Sequence, residues 1–264
     1  MAGELDSGEV AVRVGRVFAV TPESSAVWLP IAFRREAYAR TLSYRGHLRE
    51  AAEAWRSDLL GPSSLLAELA LQGAYPPDSA GAYFGRWLRA GDLRKARDGL
   101  PWWAARGDAP AILRFARVAD SVARSGAEPA LKEEGVFGTE VAQAYLALAR
   151  KDTADALRRF ESMPDSLCAR CEYLIMARQR LQAARGEDRR VLGGAERWVW
   201  YPTATEVIRA LDVARAAERL GERERAIRGY QFVVDAWRHA DPELQPYVTE
   251  ARRALGRLTS EPRP

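Results

Sequence analysis

Three segments of this chain align on a turn-forming residue followed five positions later by a small or apolar one, and they recur at a fixed interval. They are ARKDTADALRRF around Lys151, ARGEDRRVLGGA around Gly186 and RLGERERAIRGY around Gly221, with 35 residues from Lys151 to Gly186 and 35 again to Gly221. A period of that length is one helix–turn–helix unit. Such a unit cannot bury its apolar face alone, so units must stack on one another. The same cadence occurs upstream, in YRGHLREAAEAW with Gly46, Ala51 and Trp55, and in RAGDLRKARDGL with Gly91, Ala96 and Leu100.

Each element of the pattern has a physical reason. A glycine after an apolar helix accepts positive φ and ends it, and the polar residues that follow start a second helix folding back on the first. Close approach of the two then requires a small residue, which Ala51, Ala96, Ala156 and Ala226 supply. Trp55, Leu100, Phe160 and Tyr230, four residues on, fill the space on the same helix face. Lys151 in place of glycine, and Val191 with Ala195 in the fourth unit, depart from the rule.

Between Gly91 and Lys151 the interval is 60 residues, too long for one unit and too short for two regular ones. PWWAARGDAPAILRFARVADSVARSG predicts a short helix turning at Gly107 and then a longer one carrying Ile112, Phe115, Ala116 and Ala119. Gly126, Pro129, Gly135 and Gly138 predict a loop before the helix TEVAQAYLALAR, with Thr139 as its N-cap. Near the C-terminus, Asp241 as N-cap and Pro242 at the first helical position open a final helix that would cap the array. At the other end, Val10, Val12 and Val14 alternate with other residues, which suits a short strand as well as an irregular helix.

Composition narrows the function. With 47% hydrophobic residues in 264, a packed core is available, and no apolar run approaches the ~20 residues that cross a bilayer. Two histidines, His47 and His239, leave little for a histidine-based metal or acid/base site. No cofactor and no catalysis are expected. Lys and Arg number 40 against 36 Asp and Glu, and acids interrupt almost every basic cluster, so no one-sided basic stripe for nucleic acid is expected.

Cys168-Ala169-Arg170-Cys171 is the sharpest chemical signal. Three readings are open: a disulfide between Cys168 and Cys171, half of a zinc site, or two thiols packed between helices. The last is preferred, because free cysteine behaves as a small buried hydrophobe and no second cysteine pair exists for zinc. Among eight tryptophans, Trp55 and Trp87 fall at inward repeat positions. Trp102-Trp103 and Trp198-Val199-Trp200 cannot all face one helix side, so at least one of each group is a candidate for a contact surface, with packing the preferred reading.

GAYPPDSAGAYFGRWLRAGDL, LPWWAARGDAPAILRFARVADS, LALARKDTADALRRFESMPDSLCARC and AERLGERERAIRGYQFVVDAWRHADPELQPYVTEARRAL resemble the tetratricopeptide C-terminal region of bacterial membrane-bound serine/threonine protein kinases, of the type abundant in Gemmatimonadota. Tetratricopeptide repeats have a period of ~34 residues. The resemblance implies an all-α, right-handed superhelical solenoid over 30–258, after an irregular segment 1–29 and before a disordered tail 259–264. It also implies a role in recognising a protein or peptide partner, or, as the alternative, a sensory region of a kinase system. No Gly-rich loop, V-A-I-K, H-R-D or D-F-G motif is present in the sequence, so no kinase residue carries over. Absence of a signal layout suggests a cytoplasmic location without membrane insertion; the resemblance suggests an extracytoplasmic one.

If the helices stack as in tetratricopeptide proteins, the second, fifth, ninth and twelfth positions of each first helix line the concave face. Those are Phe33, Glu36, Arg40 and Ser43 in the first unit and Ile208, Leu211, Arg215 and Glu218 in the last, with Tyr145 and Tyr173 at comparable places. Arg40 and Arg215 would clamp a partner's carboxylates, and Tyr145 or Tyr173 would pack on its apolar parts.

Overall fold

The structure, a computed structural model, describes residues 31–56, 63–125, 128–163, 172–194 and 203–260, and among them it contains helices and turns but no strand. In chain order the helices are α1 (Ile31–Tyr44) and α2 (Leu48–Arg56), then α3 (Ser63–Leu71), then α4 (Pro77–Arg89) and α5 (Leu93–Arg97). They continue with α6 (Leu100–Ala105) and α7 (Ala109–Arg124), α8 (Pro129–Ala149) and α9 (Thr153–Ser162), then α10 (Glu172–Ala184) and α11 (Asp188–Gly194). Last come α12 (Ala204–Arg219) and α13 (Arg223–Ala236), and a 3-10 turn (Pro242–Leu244) leading into α14 (Gln245–Ser260). The all-α expectation holds.

The turns repeat one device. Gly46, Gly91, Gly107, Gly186 and Gly221 have φ between +69° and +83°, and Lys151 takes the same conformation at φ +64°. In each turn the following amide reaches back five residues to close the ending helix: His47 to Leu42, Asp92 to Trp87, Asp108 to Trp103, Asp152 to Ala147, Glu187 to Gln182, and Glu222 to Ala217. Asp92, Asp108 and Asp152 also cap the next helix, their carboxylates accepting from the amides of Lys95, Ala111 and Asp155 at 3.1, 3.1 and 2.9 Å. One residue ends a helix and its neighbour begins another, so consecutive helices fold back tightly. Ala51, Ala96, Ala156 and Ala226 are fully buried at the crossings, and Trp55, Leu100, Phe160 and Tyr230 are buried beside them.

The chain divides into two compact units, one formed by residues 62–181 and the other by residues up to 61 together with those from 182 onward. In the second of these units, α1 packs on α12, and the amide of Ala204 donates to Ser43 Oγ at 3.2 Å. Trp237 Nε1 donates to the Tyr44 carbonyl at 3.0 Å, and the Asp241 amide to the Gly46 carbonyl at 2.9 Å. The Asp241 carboxylate caps α2 by accepting from the Arg49 amide at 2.9 Å, so it serves a helix 192 residues away and not the one it precedes. The first hairpin and the last are thus neighbours. A linear stack, in which each unit touches only its neighbours in sequence, does not describe this unit.

In the unit of residues 62–181, α7 and α8 pack along their lengths. Gly135 and Gly138 lie inside α8, where a loop was predicted, and Thr139 is a mid-helix residue whose hydroxyl donates to the Gly135 carbonyl at 3.0 Å. The two glycines allow the helices to touch. A Cβ on Gly135 would stand 2.5 Å from the Ala123 nitrogen and 2.7 Å from the Ala119 oxygen, and one on Gly138 would stand 3.2 Å from the Ala119 Cβ. Tertiary contact overrides the low helix propensity of glycine here. Phe84, Leu100, Ile112 and Phe115 form the centre of the core.

Candidate functional site

Several of the side chains expected to line a groove are bonded to other residues of the chain. Arg40 is 8% exposed and its Nε donates to Glu36 Oε1 at 2.9 Å, so the two are brought together as an ion pair within α1. Arg215 makes a two-pronged bond to Glu250 on α14, at 2.6 and 2.5 Å, and another to Asp212 at 2.7 Å. Glu218 accepts from Tyr230 at 2.6 Å and from Arg257 at 3.0 Å. The bond from Arg215 holds the Glu250 carboxyl below its ordinary range and raises the guanidinium. Burial, with the bond to Glu218, raises the Tyr230 hydroxyl. Ser43, Ile208 and Leu211, from the same set of positions, are buried where α1 covers α12. At Arg215 and Glu218 the side chains expected to meet a partner are engaged by Glu250 and Arg257 of α14.

Tyr145 lies in the core of the other unit, 3% exposed, with its ring edge-on to Phe160 at 5.2 Å between centroids. Burial raises its hydroxyl pKa and leaves no surface for a ligand. Tyr173 falls in the first turn of α10. Trp102 and Trp103 are both buried, at 7% and 3% exposure, because Phe84 packs against each of them at 6.2 and 6.0 Å. The packing reading holds for this pair, and the contact-surface alternative does not. Cys168, Cys171, Trp198 and Trp200 lie outside the described residues.

Another concavity is present in the unit of residues 62–181, between α4, α6 and α7, with a volume of about 700 Å³. Its floor is Gly81 and Gly85, one helical turn apart on α4, and the edge of Trp102 lies 3.2 Å from where a Gly81 Cβ would be. On α7, Ala111, Ile112, Phe115, Ala116 and Ala119 form the buried stripe. The residues between them, Arg114, Arg117, Val118, Ser121 and Val122, line the cavity at the i, i+3, i+4, i+7 and i+8 spacing of a single face. Arg89, at the end of α4, joins them.

The charge of this lining is one-sided. Arg89, Arg114 and Arg117 are exposed and form no ion pair with a described residue, whereas Arg97, Arg124 and Arg159 in the same unit each meet a carboxylate. Asp108 is the lining's one acid, and its Oδ1 is occupied in capping α7. A second cavity of about 710 Å³, between α8 and α9, differs: Lys132 and Arg159 balance Glu133 and Glu140, and Arg159 is bonded to Asp155. Among the described residues no three His, Cys, Asp or Glu side chains are grouped to hold a metal ion, and no helix is long and apolar enough to cross a membrane.

The α4–α6–α7 lining escaped sequence reasoning because the inward positions were read in the first and last units and at Tyr145 and Tyr173, but not in α4. Counted from Pro77, the same positions are Asp78, Gly81, Gly85 and Leu88, of which the last three line the cavity. No family model, no curated protein and no solved structure matches this chain.

Proposed function

We propose that this chain is a non-catalytic recognition module, a tetratricopeptide-like scaffold that holds a segment of a protein partner between α4, α6 and α7. The observation that carries the reading is the α4–α6–α7 cavity itself, which is floored by glycine and walled by rigid, packed tryptophan. A concave site of this size on a preformed helical frame is the usual form of a binding pocket. The 35-residue cadence and the uniform turns add support, since stacked helical hairpins offer concave surfaces for extended ligands. The test is retention of peptides from a digested bacterial proteome on the immobilised full chain and on its Gly85→Leu variant, in which the floor is filled. Peptides retained by the parent and lost by the variant support the reading. Retention that is nil, or identical on the two, refutes it.

A further inference from the structure

We propose that the α4–α6–α7 groove takes an acidic peptide segment, its carboxylates meeting Arg89, Arg114 and Arg117 and a residue with little or no side chain lying over Gly81 and Gly85. This rests on the recognition reading and adds the chemistry of the partner.

Charge complementarity is the first argument. Three guanidinium groups line the groove against one carboxylate, which is already engaged by a backbone amide. Arg124 and Arg158 of the same unit are matched by Asp120 and Asp155, and Arg86 and Arg106 lie over aromatic rings, whereas the three groove arginines converge on one cavity with no carboxylate of their own among the described residues. The groove face of α7 carries no acid of its own. Planar guanidinium groups bind carboxylates through paired parallel hydrogen bonds, so a ligand rich in aspartate or glutamate supplies what the lining lacks.

The shape of the floor is the second argument. Gly81 and Gly85 leave one face of α4 without side chains over a helical turn, so a peptide backbone can approach α4 closely there where its own side chain is small. The tryptophans argue against a nucleic acid in the same place. Single strands are held by stacking bases on exposed aromatic faces, and Trp102 and Trp103 are 7% and 3% exposed. Val118 and Val122 add apolar contact, and the exposed Ser121 adds a hydroxyl for the peptide backbone.

The experiment is a fluorescence-anisotropy titration of the full chain with a labelled peptide alternating glutamate and glycine. It is paired with the same peptide carrying glutamine for every glutamate and with a labelled thymidine dodecamer. The acidic peptide is expected to bind, more weakly as salt rises, and the glutamine peptide about tenfold or more worse, ~1.4 kcal/mol. Arg114→Gln with Arg117→Gln should cost the acidic peptide about tenfold as well. Both side chains are exposed, so unchanged thermal unfolding would verify that the variant folds. Gly85→Leu should also weaken binding; a Cβ there meets only the flexible end of Arg89, at 3.4 Å. Equal binding of the two peptides, an unaffected double arginine variant, tighter binding of the dodecamer, or no binding of the acidic peptide would each overturn the proposal. If the two peptides bind equally and both are lost in Gly85→Leu, the acidic chemistry fails while the groove's role in recognition stands.

Discussion

Replacing Gly135 by alanine should destabilise the unit of residues 62–181, although alanine is the better helix former by ~1 kcal/mol. The new methyl would lie 2.5 Å from the Ala123 nitrogen, 2.7 Å from the Ala119 oxygen and 2.9 Å from the Ala123 Cα, where ordinary contact begins at 3.4 Å. All three are backbone atoms, so no rotamer change relieves them and α7 must move away by nearly an ångström. A gap of that size forfeits a quarter to a half of each dispersion contact along the interface. Overpacking of a core costs about 1–3 kcal/mol. Three backbone clashes put this site near the upper limit, and subtracting the gain in propensity leaves a net loss of about 2 kcal/mol. Native-state hydrogen exchange is the assay, because it reports α7 and α8 separately from the other unit. The slowest α7 amides should exchange roughly thirtyfold faster. Gly85→Ala is the control: it lies in a helix of the same unit, its Cβ meets only Arg89, and it should gain about 0.5–1 kcal/mol. If Gly135→Ala protects α7 as well as Gly85→Ala does, the close-approach argument is wrong.

Gly46→Ala should cost ~3 kcal/mol, combining a left-handed φ of +83° with a Cβ 2.5 Å from that of Ala240; Gly221→Ala, at φ +74° with open space around it, should cost only ~1 kcal/mol, both measured by urea unfolding. Lys151→Gly relieves the left-handed strain at φ +64° and should raise stability by about 0.5–1 kcal/mol; a loss would mean that the lysine stem contributes packing. Glu250, held by Arg215 below its ordinary 4.5, stabilises the folded state above that value, and the contribution disappears as pH falls through and below it. Acid titration of thermal stability should therefore be flatter in Glu250→Gln than in the parent, by less than ~1 kcal/mol because the pair is partly exposed, and equal slopes would refute the assignment.

The helical hairpins were legible because their signals are local. A glycine, a small residue five on and a large apolar one four further are all within one turn and one helix, and the bonds that close Gly46, Gly91, Gly186 and Gly221 involve only neighbouring residues. Lys151 was legible too, by position in the period and despite its side chain. What failed was whatever depends on a distant partner. Gly135 and Gly138 have the composition of a loop until Ala119 and Ala123 of another helix are set against them. Arg215 and Glu218 sit where a groove was expected, yet Glu250 and Arg257 of α14 claim them. Asp241 has every mark of capping the helix it precedes and caps α2 instead. Arg114 and Arg117 follow the local rule again: their helical spacing, beside the buried stripe of α7, was available from the sequence alone.

The pairing of Ser43 with Ala204 has a consequence for a chain still on the ribosome, since 161 residues separate them. At ~5–20 residues per second, the first hairpin emerges about 10–30 s before its mate has been made. Residues 62–181 are contiguous and can bury their own core in that interval. Leu42 and Leu48 of this early hairpin are fully buried in the finished unit, and the part of that burial that comes from α12 must wait until α12 has been made.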